Sequence, residues 1–310
     1  MHDAPENHQQ ESMPEDNLRI SKGLVTWLDI LGFKEILKAQ SAFDATTKLK
    51  LWRKAWDALN SIPPMQDKHG LTLHQLEKLG HRDSWFKTTA FSDSMVISLD
   101  MSSPLIQSED RWKLIRSYLL KNALTVRLMF EAGLPVRGCI SYGEFVHADR
   151  GFAGKPFVEA EQLSSRLELS ACVFSDEAIE IVKQAFKGLY ASPSLESNRR
   201  WFPFDCPVKP TPAMHVCGLT DKTRTECACR PTPVHERLHV LNIACPAEFK
   251  TTDDAREFVY NLKSDDLPKI VAKSFGDHGK AIDHPSIRQK IDNTIRMLRS
   301  ATQAAGEQAM

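Results

Sequence analysis

The sequence predicts an α+β chain, a ferredoxin-like α/β sandwich with extensions, and three observations carry that prediction. Gly23 to Leu31 is a nearly unbroken apolar run with one carboxylate in it, the pattern of a central strand buried on both faces. Trp85 to Phe91 and Met95 to Leu99 are strand-like and joined by Ser92-Asp93-Ser94, a hairpin with an acid at its tip. Along the chain the elements run β-α-β-β-α-β-α-β with that hairpin after the first helix, an order that indicates the ferredoxin-like type.

Each element follows from local pattern. Residues 1–18 are polar and acidic without an apolar core, so they read as a disordered lead-in and not as a signal peptide. The main domain spans 19–190. Gly32 breaks the first strand, and a helical stretch begins at Phe33 and runs to Gln40. Leu49, Trp52, Trp56 and Leu59 then recur at helical spacing until Ile62-Pro63-Pro64 ends them. A polar loop, with a short helix at Leu73 to Leu79, leads to the hairpin. Asp110 to Ala132 is amphipathic and closed by Gly133 as its C-terminal cap. Pro135 to Val146 reads as a strand or tight hairpin. Gly151 and Gly154 precede a helix at about Phe157 to Leu169, a short strand covers Ala171 to Phe174, and Ser175-Asp176-Glu177 opens the next helix. Residues 191–235, rich in Pro and Cys, read as an irregular insertion. Residues 236–310 supply a last strand, Arg237 to Ala244, and two or three helices packing on the same domain, the final one from about Pro285 to Ala301.

Composition narrows the function classes. Hydrophobic residues make up 42% and charged residues 26%, the balance of a soluble globular protein. Lys+Arg and Asp+Glu both number 40, so no overall basic field recruits nucleic acid or an anionic membrane. No apolar run reaches the roughly 18 residues of a membrane span. Seven Cys at irregular spacings, without an export signal, read as reduced thiols in a cytoplasm.

The chemistry concentrates on two acids. An aspartate inside an apolar strand is costly unless its charge is met, and Asp29 is such a residue. Asp93 sits on the tip of a hairpin whose strands neighbour the first in this topology. Together they make a hard-oxygen site suited to Mg²⁺ or Mn²⁺. The alternative reading is that Asp29 caps the next helix and Asp93 is an ordinary turn acid.

The ordered motifs resemble a family. Asp29-Ile30-Leu31-Gly32-Phe33 resembles the D-I-x-G-F element of class III adenylyl and guanylyl cyclase domains. Phe91-Ser92-Asp93-Ser94 resembles the hairpin of their second metal aspartate. Arg137-Gly138-Cys139-Ile140-Ser141-Tyr142-Gly143 resembles their R-x-G-I-x-x-G strand. Gly154-Lys155-Pro156-Phe157-Val158-Glu159-Ala160 falls where they have a glycine and the V-N-x-A-x-R helix. The resemblance spans roughly residues 23 to 175. Within the family it points to the bacterial Pycsar pyrimidine (uridylate or cytidylate) cyclases, on F-S-D-S, R-G-C-I-S-Y-G and G-K-P-F-V-E-A-E-Q-L.

That resemblance implies the class III cyclase fold with a C-terminal helical extension. It implies a lyase that converts UTP to 3′,5′-cyclic UMP and pyrophosphate, a second messenger for antiphage defence that acts on a separate effector. Cyclic CMP from CTP, a purine cyclase and a catalytically silent nucleotide-binding module are the alternatives. It further implies two divalent ions held by Asp29, Asp93 and the Ile30 carbonyl, and a homodimer with active sites at its interface. Backbone N–H groups around Leu31, Gly32 and Phe33, at a strand-to-helix turn, suit the β- and γ-phosphates. Arg137 is expected at the triphosphate or as a surface ion-pair partner. Arg166 is expected at the transition state from the opposite subunit, or as a solvated helix arginine. Lys87 and Thr89 are the candidates to face the base, with solvent the alternative for Lys87. The chain departs from the family in carrying Ser92 where Gly is usual and in lacking the helix asparagine, for which Gln162 is the nearest amide.

Two other signals are set aside. His235-Glu236-Arg237-Leu238-His239 matches H-E-x-x-H, but zinc proteases need that motif on a helix, and here it runs into a β-like stretch. Cys206, His215, Cys217, Cys227, Cys229, His235 and His239 fall in one segment, but Cys-x-Cys is not the usual zinc spacing, and free thiols are expected. Lys290, Arg296 and Arg299 on the last helix read as a solvated or dimer-facing surface.

Overall fold

The structure, a computed structural model, describes residues 19–34, 86–102, 111–148, 151–187, 200–209, 234–243, 267–279 and 281–306. The lead-in, the helices expected between 35 and 79, Trp85 and most of the 191–235 insertion lie outside the described residues.

Strand β1 (Ser21–Ile30) is the apolar run, with Leu24, Val25 and Leu28 essentially inaccessible. Strands β2 (Phe86–Phe91) and β3 (Ser94–Asp100) form the hairpin, β3 being buried along its whole length. Helix α1 (Arg111–Glu131) ends as expected at Gly133, where φ is 77°. There Leu134 N–H donates to Met129 O and Gly133 N–H to Phe130 O, the paired bonds of a Schellman cap. Strand β4 (Val136–Ala148) and the short β5 (Gly151–Ala153) fold back on each other. Then come α2 (Lys155–Arg166), β6 (Cys172–Phe174) and α3 (Asp176–Phe186), the last capped by Ser175, whose hydroxyl accepts from Ala178 N–H.

Among the described residues the sheet runs β2-β3-β1-β4-β6-β8-β7. Each of its first four strands is antiparallel to its neighbour, in the order of a ferredoxin-like unit. β6 joins β4 in parallel, so the sheet is mixed and the chain is α+β with helices packed on it.

Strand β7 (Trp201–Val208) is a correction, because it lies inside the stretch expected to be irregular. Pro203 and Pro207 mask it in the sequence, yet β7 is the last strand of the sheet, where a missing N–H leaves no ladder bond unmade. Its partner β8 (Val234–Leu241) starts three residues earlier than expected and takes in the whole H-E-x-x-H motif. That motif is therefore on a strand.

Helices α4 (Leu267–Gly276) and α5 (Pro285–Gly306) close the described chain. Phe275, Leu298 and Ala301 from them belong to the same apolar core as Leu24, Ile97 and Ile140 from the sheet. Polar contacts reinforce the packing. Ser274 Oγ donates to Phe130 O, Ser170 N–H to Thr294 Oγ1, and Asn293 Nδ2 to Glu168 O. A smaller apolar cluster (Val25, Val96, Phe145, Phe157) is edged by the half-buried Trp27, Phe91 and Phe152.

Candidate functional site

Register decides which side chains share the site. Asp29 pairs with Ser94 of β3 on one side and with Arg137 of β4 on the other. Alternation then puts Asp29, Trp27 and Val25 on one face with Phe91, Thr89 and Lys87 of β2, Ser94, Val96 and Ser98 of β3, and Arg137 of β4. The hairpin tip is drawn to the end of β1 by a bond from Ile30 N–H to Asp93 O, 2.9 Å. That bond puts Asp93 beside the strand end that carries Asp29, near enough for the two charges to act on each other. Burial is the main reason the Asp29 carboxyl sits above its usual range; Arg137 opposes the rise, and the negative charge of Asp93 adds to it.

Asp29 is held asymmetrically. Its Oδ2 accepts both Nε and Nη2 of Arg137, at 3.0 and 2.9 Å, while among the described residues Oδ1 has only a long 3.5 Å contact from Ser94 Oγ. Arg137 also donates from Nη1 to Ser165 O at the end of α2, 2.8 Å. Arg137 is thus an ion-pair partner of Asp29, and neither side chain of the pair is at the open surface.

The other expected residues distribute as follows. Leu31 is a correction: its N–H donates to Pro135 O at 2.8 Å, so that amide is not available to a phosphate. Gly32 adopts φ 73° and Phe33 is buried at the start of the next helical turn. Among the described residues the Gly32 and Phe33 amides have no hydrogen-bond acceptor. Thr89 does not stand open: its Oγ1 lies 2.7 Å from His147 Nε2. His147 was not anticipated, because its partners are far away in sequence and only the folding back of β4 brings them together. Lys87 lies two residues along the same face, half-buried. Gln162 is exposed on α2, one turn before Arg166. Arg166 forms an ion pair with Glu236 of β8 and donates to Lys209 O.

A second group of charges adjoins Arg137. Glu168 is buried and faces both Lys290 of α5 and Lys209, at 3.7 and 3.5 Å. Lys209 Nζ donates to Ser165 O, the same carbonyl that Arg137 uses. Burial and the nearby Lys209 and Arg137 charges lower the Lys290 ammonium below its usual range, against the pull of Glu168. Among the described residues no three His, Cys, Asp or Glu side chains converge as a metal cage. Cys206 is buried in β7 with its thiol pushed up to about 12, chiefly by burial, and so is not a ready thiolate ligand. His215, Cys217, Cys227 and Cys229 lie outside the described residues.

No protein-family model matches the chain, and no curated protein does. Solved structures do align with it. One is a Class III adenylyl cyclase-like ATP-binding protein from Pseudomonas aeruginosa, 15% identical over 53% of this chain and 35% of that one, TM-score 0.39. Another is the adenylyl cyclase CyaB from P. aeruginosa, 15% identical over 72% of this chain and 94% of that one, TM-score 0.37. A third is the guanylate cyclase domain of RhGC from Catenaria anguillulae in complex with GTP, 14% identical over 72% and 97%, TM-score 0.38. The chain spans about a third of the first of these. Likeness at this level carries no argument about ligand or reaction, which rest on the chain's own residues.

Proposed function

We propose that the chain is a metal-dependent nucleotidyl cyclase that converts UTP to cyclic UMP and pyrophosphate. The observation that carries this reading is the meeting of Asp29 and Asp93, at a strand end beside the Gly32-Phe33 turn. The donor set fits a hard divalent ion such as Mg²⁺ or Mn²⁺: two carboxylates and a strand-end carbonyl, all oxygen, with Asp29 Oδ1 lacking a close donor among the described residues. Asp29, Asp93 and the Ile30 carbonyl would hold the two ions. When bound, they supply positive charge at the ribose 3′-hydroxyl and the α-phosphate.

The reaction joins the 3′-oxygen to the α-phosphorus in line, breaks the bond from the α-phosphorus to the bridging oxygen of the β-phosphate, and releases the hydroxyl proton to solvent. Arg137 orients Asp29 and carries a guanidinium beside it, for which triphosphate oxygens are a natural second acceptor. A left-handed Gly32 followed by a helical turn presents amides to anionic oxygen. Arg166 and Gln162 enter from the opposite subunit of a homodimer, which requires Arg166 to exchange Glu236 for the substrate. In this reading residues 19–190 are the catalytic domain and 236–310 complete it. The choice of UTP, the antiphage role and the separate effector rest on the motif resemblance; CTP is the second candidate.

The test is incubation with ATP, GTP, CTP and UTP separately with Mn²⁺, and identification of products by mass spectrometry. Cyclic UMP is expected as the main product. Asp29→Asn and Asp93→Asn should each reduce turnover at least about a hundredfold with circular dichroism unchanged. Near-full turnover in either variant sinks the two-carboxylate assignment, and cyclic AMP or GMP as sole product sinks the pyrimidine one.

A further inference from the structure

The carbonyl that aims Arg137 belongs to a helix end. The last four carbonyls of an α-helix have no intrahelical N–H to accept, and together they carry a partial negative charge that draws cations. At the end of α2 two cations answer that pull: Ser165 O accepts Arg137 Nη1 at 2.8 Å and Lys209 Nζ at 3.1 Å. Two positive charges on one oxygen repel each other, so each needs an anion on its far side. Arg137 has Asp29 there, and Lys209 has Glu168 at 3.5 Å.

Glu168 has a second partner in Lys290 of α5, at 3.7 Å, and these two side chains are 11% and 17% exposed. An ion chain thus runs from Asp29 through Arg137, Lys209 and Glu168 to the C-terminal helix. The backbone of the same turn is tied down on both sides. Glu168 N–H donates to Pro207 O, and Lys209 N–H to Arg166 O, where β7 ends. Asn293 Nδ2 donates to Glu168 O and Ser170 N–H to Thr294 Oγ1, where α5 passes. Ser170 Oγ in turn donates to Val136 O, on the residue before Arg137.

We propose that Glu168 is a positioning residue for the metal-holding carboxylate: by neutralising Lys209 and Lys290 it keeps Arg137 on Asp29 Oδ2 and leaves Oδ1 turned toward the ions. The proposal deepens the cyclase reading above and rests on it. Without this carboxylate three cations surround one helix end, and Asp29 is the anion left in the group. Lys209 is half exposed and can turn to water. Lys290 cannot do so without leaving the interior, and its uncompensated charge then bears on Arg137. The guanidinium loses its fixed seat and Asp29 its fixed orientation. Glu168 acts through Arg137 and meets neither ion nor nucleotide.

The test reads the Arg137–Asp29 pair directly, in the metal-free full-length chain, as solvent exchange of the Arg137 Nε–H by NMR, the signal being assigned by its loss in Arg137→Lys. Glu168→Gln keeps the shape and removes the charge. It should speed that exchange about tenfold or more, the size of one hydrogen bond to a charged group, with backbone amide exchange in β1 and β4 unchanged. Glu168→Asp, which draws the carboxylate back by one methylene, should give a smaller rise and carries the measurement if the glutamine variant does not fold. Adding Lys290→Met to Glu168→Gln removes the orphaned charge and should return the exchange toward the wild-type rate, whereas a merely structural loss would deepen. Turnover of UTP with Mn²⁺ should follow the same order, lowered by Glu168→Gln and recovered in the double variant. Unchanged Nε–H exchange, no recovery on adding Lys290→Met, or faster exchange with wild-type turnover overturns the inference. If the wild type forms no cyclic product from any nucleoside triphosphate, the cyclase reading fails, and the exchange rates still decide whether Glu168 seats Arg137.

Discussion

Ser92 occupies the hairpin position where the backbone turns left-handed, at φ 48°, although it carries a side chain. A residue with a Cβ is strained there by about 1–2 kcal/mol, whereas glycine is not. Glycine also loses more chain entropy on folding, which returns part of that gain. Ser92→Gly is therefore expected to raise unfolding stability by about 0.5–1 kcal/mol. Chemical denaturation measures it, and a loss of stability would mean that the Ser92 hydroxyl holds the tip in a way its backbone does not reveal. The neighbouring acids were legible in the sequence for the same local reason: Asp29 is the one charge in the apolar run Gly23 to Leu31, and Asp93 sits in the Ser92-Asp93-Ser94 turn signal. The Arg137–Asp29 pair and the His147 bridge were not, because each joins residues whose juxtaposition depends on register or on the return of a strand.

At the scale of elements, apolar runs and periodicity revealed β1, β3 and α1, each burying a continuous stripe or run, while the Ser175-Asp176-Glu177 start signal revealed α3. It failed at β7, where two prolines interrupt the pattern while an edge position tolerates them. It also says nothing about how α5 grips the segment between α2 and β6. That grip is polar: Thr294 Oγ1 accepts Ser170 N–H and donates to Lys290 O, both in the interior. Thr294→Val keeps the shape and removes the acceptor, leaving a buried N–H unmet. A loss of about 1–3 kcal/mol in unfolding free energy is expected. Thr294→Ser should recover most of it. If the valine variant were as stable as the parent, the Ser170 amide would have another acceptor and Thr294 would not be what fixes α5 on this segment.

At the scale of the whole molecule, Arg166 is the last residue of α2 and is engaged with Glu236 of its own chain, not with Asp29. A site shared between two subunits reconciles that placement with a role on substrate, because each site then takes Asp29 and Asp93 from one protomer and Arg166 from the other. Isologous pairing makes the consequence countable. Asp29→Asn and Arg166→Met should each be inactive as homodimers. In a mixed dimer one site carries both defects and the other carries neither. Random exchange of equal amounts makes half the dimers mixed, so activity should return to about a quarter of the wild-type value. The recovery should require subunit exchange, and therefore be lost when the two dimers are cross-linked before mixing. If Arg166→Met alone retains near-full turnover, its ion pair with Glu236 is its whole role and the active centre is Asp29, Asp93 and Arg137. If both variants are inactive and mixing restores nothing, Arg166 acts within its own subunit.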